Sequence, residues 1–172
     1  MANAQAENVF TWLPANYLVP FMQQLQQQLP KDKDVRVYAP GLVSEGAAVE
    51  QLTAARNLFT AMQYSADLNN AANRAFSSLF QTRYQRSPTA YAVSAYDAAQ
   101  VLDSAITLIV DEAITAVNVN QKIANVGQVV SPRGNWQFTQ ARAPQQKWYL
   151  RQIRMDGPVL ANVLVSELST LA

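Results

Sequence analysis

Apolar positions recur along this chain in two rhythms, one suited to strands and one to helices. Asn8-Val9-Phe10-Thr11-Trp12-Leu13 is a β-branched and aromatic run ended by Pro14, which predicts a strand buried on both faces inside a parallel sheet. Leu18, Phe21, Met22, Leu25 and Leu29 then fall at helical spacing, with Gln23, Gln24, Gln26, Gln27 and Gln28 on the solvated face and Pro30 as the stop. Lys31 to Asp34 reads as a polar turn, and Val35 to Ala39 as the next strand before Pro40-Gly41. Together these make a β-α-β unit. Loops after the strands of such units collect at one edge of the sheet, where open α/β folds bind ligands, so Trp12 to Asn16 and Pro40 to Ser44 are the first candidate ligand loops.

The rhythm continues beyond them. Ser44 with Glu45 is expected to open an Ala-rich helix running to Ala55, and Leu58 to Met62 reads as a third strand. Asp67 to Asn70 supplies capping oxygens for a helix whose Ala72, Ala75, Phe76, Leu79 and Phe80 form a stripe expected to be core. Ser87-Pro88 punctuates, Tyr91 to Ser94 reads as a short strand, and Ala95, Ala98, Leu102, Ala105 and Ile109 mark the packed face of a long helix. A short helix over Asn118 to Val126 follows, then a Ser131-to-Gly134 turn and extended segments at Asn135 to Phe138 and Lys147 to Ile153. Met155-Asp156-Gly157 is a turn, and Val159 to Leu168 fits either a strand or a helix. Strands alternating with helices put the chain in the α/β class.

Composition narrows the chemistry. With 172 residues, 49% of them hydrophobic, the chain can bury a sizeable core. Lys+Arg 13 against Asp+Glu 12, without a block of like charge, argues against a nucleic-acid groove, because phosphate binding needs clustered cations. Without Cys or His there is no thiolate, imidazole base or common zinc site. Gly is scarce at 5 and forms neither phosphate-cradling motif. Among carboxylates the candidate pairs are Asp97 with Asp103 and Asp111 with Glu112, but Asp97 reads as a charge in the first turn of a helix, and the adjacent Asp111 and Glu112 diverge. Arg133 beside Gly134 suits an anion grip or a plain turn. Trp12, Tyr38, Tyr64 and Tyr91 stand at or near predicted strand ends, where an aromatic is either core or a stacking partner for a ligand. No catalytic residue, metal or cofactor is expected. The start MANAQAENVF carries no export signal, so for an exported parent the signal is expected to have been removed or to lie upstream.

Five stretches in fixed order carry a resemblance: VFTWLPAN with its helix, VRVYAPGL, AMQYSADLNNAANRAF, SPTAYAVSAYDAAQVL, and SPRGNWQFTQARAPQQKWYLRQI. As a set over residues 8 to 155 they resemble the C-terminal half of a type I periplasmic binding protein, in the branch serving branched-chain amino acid ABC importers. The resemblance implies parallel-sheet, three-layer, Rossmann-like lobes, present here in incomplete form. Residues 1–64 with 151–172 would belong to the second lobe and 65–150 to the first, with hinge crossings near Tyr64 and Leu150.

It also implies the function: an extracytoplasmic, periplasmic component that binds a small polar or aromatic solute between lobes and delivers it to an ABC permease, without enzymatic activity. Ligand contacts carried over by position are Ala15 and Asn16, Pro40, Gly41 and Leu42, and the aromatic Tyr91, with Trp12 beside them. Amino-acid binders of the family carry an acid just after the proline of the second loop; Gly41 stands there, and Glu45 is the nearest carboxylate. The alternative is a sensory or protein-interaction module on the same fold. A half-length chain is also expected to associate, as a homo-oligomer through exposed edges.

Overall fold

The structure, a computed structural model, describes residues 6–30, 33–53, 55 and 57–168. The start at residues 1–5, the turn residues Lys31 and Asp32, and Ala54 of the expected Ala-rich helix lie outside these. The chain divides into two compact units, Met1–Asp67 with Trp148–Ala172, and Leu68–Lys147.

The first unit is built on a five-stranded mixed sheet. Strands β1 (Asn8–Phe10), β2 (Arg36–Pro40) and β3 (Leu58–Met62) are parallel neighbours. Two later strands extend the sheet antiparallel, β6 (Trp148–Asp156) beside β3 and β7 (Val159–Leu168) beside β6, giving the order β1-β2-β3-β6-β7. Val159 to Leu168 is therefore strand, closed onto β6 by a two-residue turn whose Gly157 has φ 59°.

Helix α1 (Ala15–Gln28) crosses over between β1 and β2 and buries Leu18, Met22 and Leu25, the expected stripe. Pro20 withholds one N–H from its second turn on the exposed side. Leu29, which precedes Pro30, is forced to ψ 138° and ends the helix. The α1 stripe packs with Val37, Ala39, Val43, Leu52, Leu58 and Ile153 into the core of the unit.

Two expectations fail here. β1 is not buried on both faces; it lies at the sheet edge, paired only with β2 among the described residues, and Phe10 is 80% exposed. A β-branched and aromatic run specifies a strand, but its place in the sheet depends on which neighbours exist to pair with it. The Ala-rich helix from Ser44 is instead two short 3-10 helices, Gly41–Ser44 and Gly46–Leu52. Glu45 between them is extended at ψ 143° and Gly46 has φ 60°, so continuous α geometry is broken where the helix was expected to begin.

The second unit is helical. α2 (Ala71–Tyr84) starts where expected, with Asn70 Oδ1 accepting the N–H of Asn73 at 2.8 Å, and ends on left-handed Gln85. α3 (Ala90–Thr107) absorbs the predicted strand Tyr91 to Ser94. Thr89 Oγ1 caps Ala92 N at 3.3 Å, and Ala90, Val93, Asp97, Val101 and Ala105 form a helical buried face that outweighs the short β-prone run. α4 (Ala116–Ile123) and a two-stranded ribbon, β4 (Gln137–Phe138) with β5 (Pro144–Gln145), complete the unit.

Of the apolar stripes expected on α2 and α3, Ala105 is buried as expected, whereas the other positions are half-buried or exposed. Leu79 is 73% and Leu102 47% exposed, and Ala75, Ala95 and Ala98 are also exposed. Phe76, Phe80, Tyr84 and Tyr96 instead run as a chain of ring contacts at 4.6–5.8 Å. The faces turned inward carry Asn73 and Asp97, whose hydrogen bonds to the loops decide how the helices are rotated.

Candidate ligand site

The parallel strands β1, β2 and β3 deliver their C-terminal ends to one edge of the sheet. Alternation along them divides the side chains. Val37, Ala39, Leu58 and Thr60 are buried on the core face, while Tyr38, Phe59 and Ala61 are half-buried on the other. There the rings follow the register: Phe10 pairs with Tyr38 and stacks on it at 4.9 Å, and Tyr38 pairs with Phe59 and stacks at 5.5 Å.

This ladder floors a cavity of about 770 Å³. Leu150, Trp148 and Leu168 continue the floor, and Thr11, Trp12, Pro40, Gly41, Leu42, Met62 and Gln63 form its side at the strand ends. No charged side chain lines it; the polar groups available are the Thr11 and Tyr38 hydroxyls, the Gln63 amide and the indole N–H groups.

The loop after β2 is held tightly. A Cβ on Gly41 would sit 2.6 Å from Ala61 O and 2.7 Å from Met62 Cβ, so glycine is required there by close approach to β3. Below the loop lies Arg151 of β6, which is 2% exposed. Its Nη1 donates to Glu45 Oε1 at 2.6 Å and to Tyr64 O at 3.1 Å, and its Nη2 to Gly41 O at 3.3 Å. Ser44 Oγ also donates to Gly41 O, at 3.1 Å. Glu45 is thus committed to a buried ion pair and is absent from the cavity lining.

Of the residues expected at the site, Trp12, Pro40, Gly41, Leu42 and Leu150 line this one cavity. Ala15 and Asn16 open α1 just beyond it and are not among the lining residues. The N-terminus they form has no side-chain cap and no acidic residue in its first turn. Tyr64 is buried at 1% exposure with its carbonyl on Arg151, and Leu150 pairs with Ala61 within the sheet. Tyr91 belongs to the second unit, in the first turn of α3 and 59% exposed. Phe10, Phe59, Trp148 and Arg151 were missed as parts of the site or its support. The in-register aromatics of three successive strands were the signal for the first two; nothing local announces Arg151, because its partners stand 87 to 110 positions away in the chain.

In the second unit Asp97 is not in a first helical turn, since α3 begins at Ala90. It is 2% exposed, accepts Trp136 Nε1–H at 3.0 Å and pairs with Arg133 Nε at 2.7 Å. The Arg133 guanidinium also lies 4.6 Å from the Trp136 ring centroid and donates to Gln146. Burial lowers the Arg133 pKa, and the Asp97 charge opposes that shift. These contacts make Arg133 a clamp between the Ser131 turn and α3, not an anion grip. Among the described residues no cluster of three or more acidic side chains could hold a metal ion.

The sequence profile of the family described as periplasmic binding protein matches residues 1–158. The chain belongs to the type I periplasmic binding protein family. No curated protein matches it. Among solved structures, this periplasmic binding protein chain is similar to a solute binding protein of an R. palustris ABC transporter in complex with benzoate. Identity is 24% and the TM-score 0.73 over 96% of this chain and 46% of that one. An ABC transporter substrate-binding protein from Sphaerobacter thermophilus gives a TM-score of 0.80 at 20% identity, covering 94% and 44%. The branched-chain amino acid transporter substrate binding protein of Streptococcus pneumoniae, in complex with isoleucine, gives 0.76 at 17%, covering 96% and 46%. At these identities the likeness is one of fold, and the chain spans somewhat under half the length of these structures.

Proposed function

We propose that the chain carries one wall of the solute site of an extracytoplasmic binding component of an ABC importer, and that the solute is a small aromatic acid with no ammonium group. The observation that carries this reading is the cavity at the strand ends: floored by stacked rings, free of charged side chains, and closed to a carboxylate at position 41. An ammonium group brought there would be desolvated without a counter-charge, whereas an aromatic ring finds ring faces and edges. The uncapped first turn of α1, with Ala15 and Asn16, offers N–H donors to a carboxylate. Benzoates are the ligands named for several of the similar R. palustris proteins, which supports the same class.

On this reading the first unit is part of the second lobe and the second unit part of the first, with crossings close to Tyr64 and Leu150 and Tyr91 as the aromatic contact from the first lobe. The parent is periplasmic and its partner is an ABC permease. The test is fluorescence titration of Trp12 and Trp148, together with thermal shift, using 4-hydroxybenzoate, benzoate and L-leucine. Saturable quenching and a raised Tm with the aromatic acids but not with leucine is the expected result. Preference for leucine would refute the ligand class, and silence from all three would refute solute binding by this chain.

A second reading is favoured by the exposure of Phe10 at 80% and Trp12 at 87% beside the edge strand β1: a protein-interaction module, or association of two copies of this chain. Sedimentation velocity decides the latter, a concentration-independent monomer being the contrary result.

A further inference from the structure

We infer that Arg151 is the positioning residue of the ligand loop: its guanidinium holds the Pro40–Leu42 backbone against β3 and keeps Glu45 away from the solute. This rests on the reading of Pro40–Leu42 as a ligand loop. The far end of the loop is tied by Ser44, whose Oγ donates to Gly41 O at 3.1 Å and whose carbonyl accepts from Asn162 Nδ2 at 2.7 Å, so the span left for Arg151 to hold is its start. The β2 ladder ends at Pro40, paired with Ala61, and beyond it comes a single 3-10 helix, Gly41–Ser44. Loops of this kind exchange conformations unless their backbone groups are held.

Arg151 supplies the hold from beneath. It stands on β6 in register with Thr60, a central position of the sheet, and is in effect fully buried. From there one planar group serves three segments: Gly41 O in the loop, Glu45 Oε1 between the two 3-10 helices, and Tyr64 O after β3. The guanidinium reaches all three from two nitrogens held in one plane, whereas an ammonium has its three N–H groups on a single nitrogen and lacks that fixed fork. The bond to Glu45 also has a consequence for specificity. Glu45 is the carboxylate nearest the place where amino-acid binders of the family present an acid, and its charge is spent on Arg151 with its side chain 4% exposed. Arg151 thus both shapes the loop and withholds a carboxylate from it.

A merely structural ion pair would stabilise the unit without singling out the loop, so the decisive measurement is local. Hydrogen exchange on the full chain compares the amides of Gly41 to Ser44 with those of Met22 and Leu25 in α1. The variants are Arg151→Met with Glu45→Gln together, which leaves neither charge buried alone, and Arg151→Lys. In both, the loop amides are expected to exchange at least tenfold faster while the α1 amides keep wild-type rates. Equal acceleration of loop and α1, or an unchanged loop, overturns the inference. Should the double variant not fold, Arg151→Lys, which keeps the charge but not the fork, carries the same comparison. In a separate arm, 4-hydroxybenzoate is titrated into wild type and double variant, with a loss of at least tenfold in affinity expected and equal affinity counting against Arg151. Silence in the wild type refutes the proposed solute alone, and the exchange result still decides the role of Arg151.

Discussion

Replacing Gly41 by Ala tests the geometry of the ligand loop with a single methyl group. The added Cβ would lie 2.6 Å from Ala61 O and 2.7 Å from both Cβ and Sδ of Met62. An ordinary C···O contact begins near about 3.3 Å, so the shortfall is roughly 0.7 Å. The Met62 sulfur can swing aside. Ala61 O and Met62 Cβ cannot, because β3 is pinned between β2 and β6 at Ala61↔Pro40 and Ala61↔Leu150. Either the ladder opens or the loop lifts from Arg151. Overpacking of this kind costs about 1–3 kcal/mol, and two rigid obstacles out of three place Gly41→Ala toward the upper end. At about 2–4 °C per kcal/mol for a chain of this size, Tm falls by roughly 5–10 °C, as calorimetry or urea unfolding would show. Gly157→Ala is the control: nothing lies within 4 Å of its Cβ, and only its φ of 59° penalises it, by about 1–2 kcal/mol. If Gly41→Ala unfolds within about 0.5 kcal/mol of wild type, the loop is not packed on β3 and the argument that no side chain fits at position 41 collapses.

Three further outcomes follow from the same contacts. Asn70→Ala removes both the cap on Asn73 N and the donation from Nδ2 to Pro132 O, for a loss of about 1–2 kcal/mol in urea unfolding; Asn70→Asp keeps the cap and should fall between. Asp97→Asn keeps an acceptor for Trp136 but leaves Arg133 buried without its counter-charge, so destabilisation of about 3–5 kcal/mol is expected, and a loss below about 1 kcal/mol would show that Trp136 alone holds the turn. Burial, reinforced by Glu167, raises the Tyr149 pKa above its ordinary 10.0. Between the unfolded and the folded pKa the unfolded chain holds fewer protons, so the stability contributed by the neutral phenol is complete below pH 10 and declines as pH rises through the folded value. Tyr149→Phe should flatten that alkaline decline in a series of urea midpoints, and an unchanged slope would contradict it.

Local order was legible in the chain wherever one rhythm dominated. The α1 stripe, the Pro30 stop, the β3 limits and the Asn70 cap all appear where the pattern puts them, because each depends on residues within a few positions of one another. What the pattern could not show was which face meets a partner. In α3 the apolar positions Ala95, Ala98 and Leu102 point outward, while Asp97 turns in to reach Trp136 across 39 positions. A hydrophobicity count ranks those positions in the opposite order. Glu45 reads in the sequence as a helix opener and as the carboxylate nearest Gly41, but its partner is not legible there, since Arg151 lies 106 positions away on a strand whose neighbours are set by the sheet order. Of the site, the strand-end residues could be read from the β-α-β logic, whereas the aromatic floor required the register between strands.

The departure at Gly41 from the family's amino-acid binders thereby acquires a physical cause. A missing acid alone would leave open that a neighbour compensates. Here the two ways of compensating are both closed, one by the 2.6 Å approach of Ala61 O to any side chain at position 41, the other by the commitment of Glu45 to Arg151. Solute selection on the proposed reading therefore works by exclusion as much as by attraction. Burying one aromatic ring, about 150 Å² at about 25 cal/mol per Å², gives roughly 4 kcal/mol to any ligand that presents it. An α-amino acid with the same side chain gains that term too, but it must also strip an ammonium of water with no carboxylate to receive it, a penalty of several kcal/mol that outweighs the gain. On the proposed reading, then, the loop and the arginine beneath it discriminate, and the rings supply affinity without choosing between acid and amino acid.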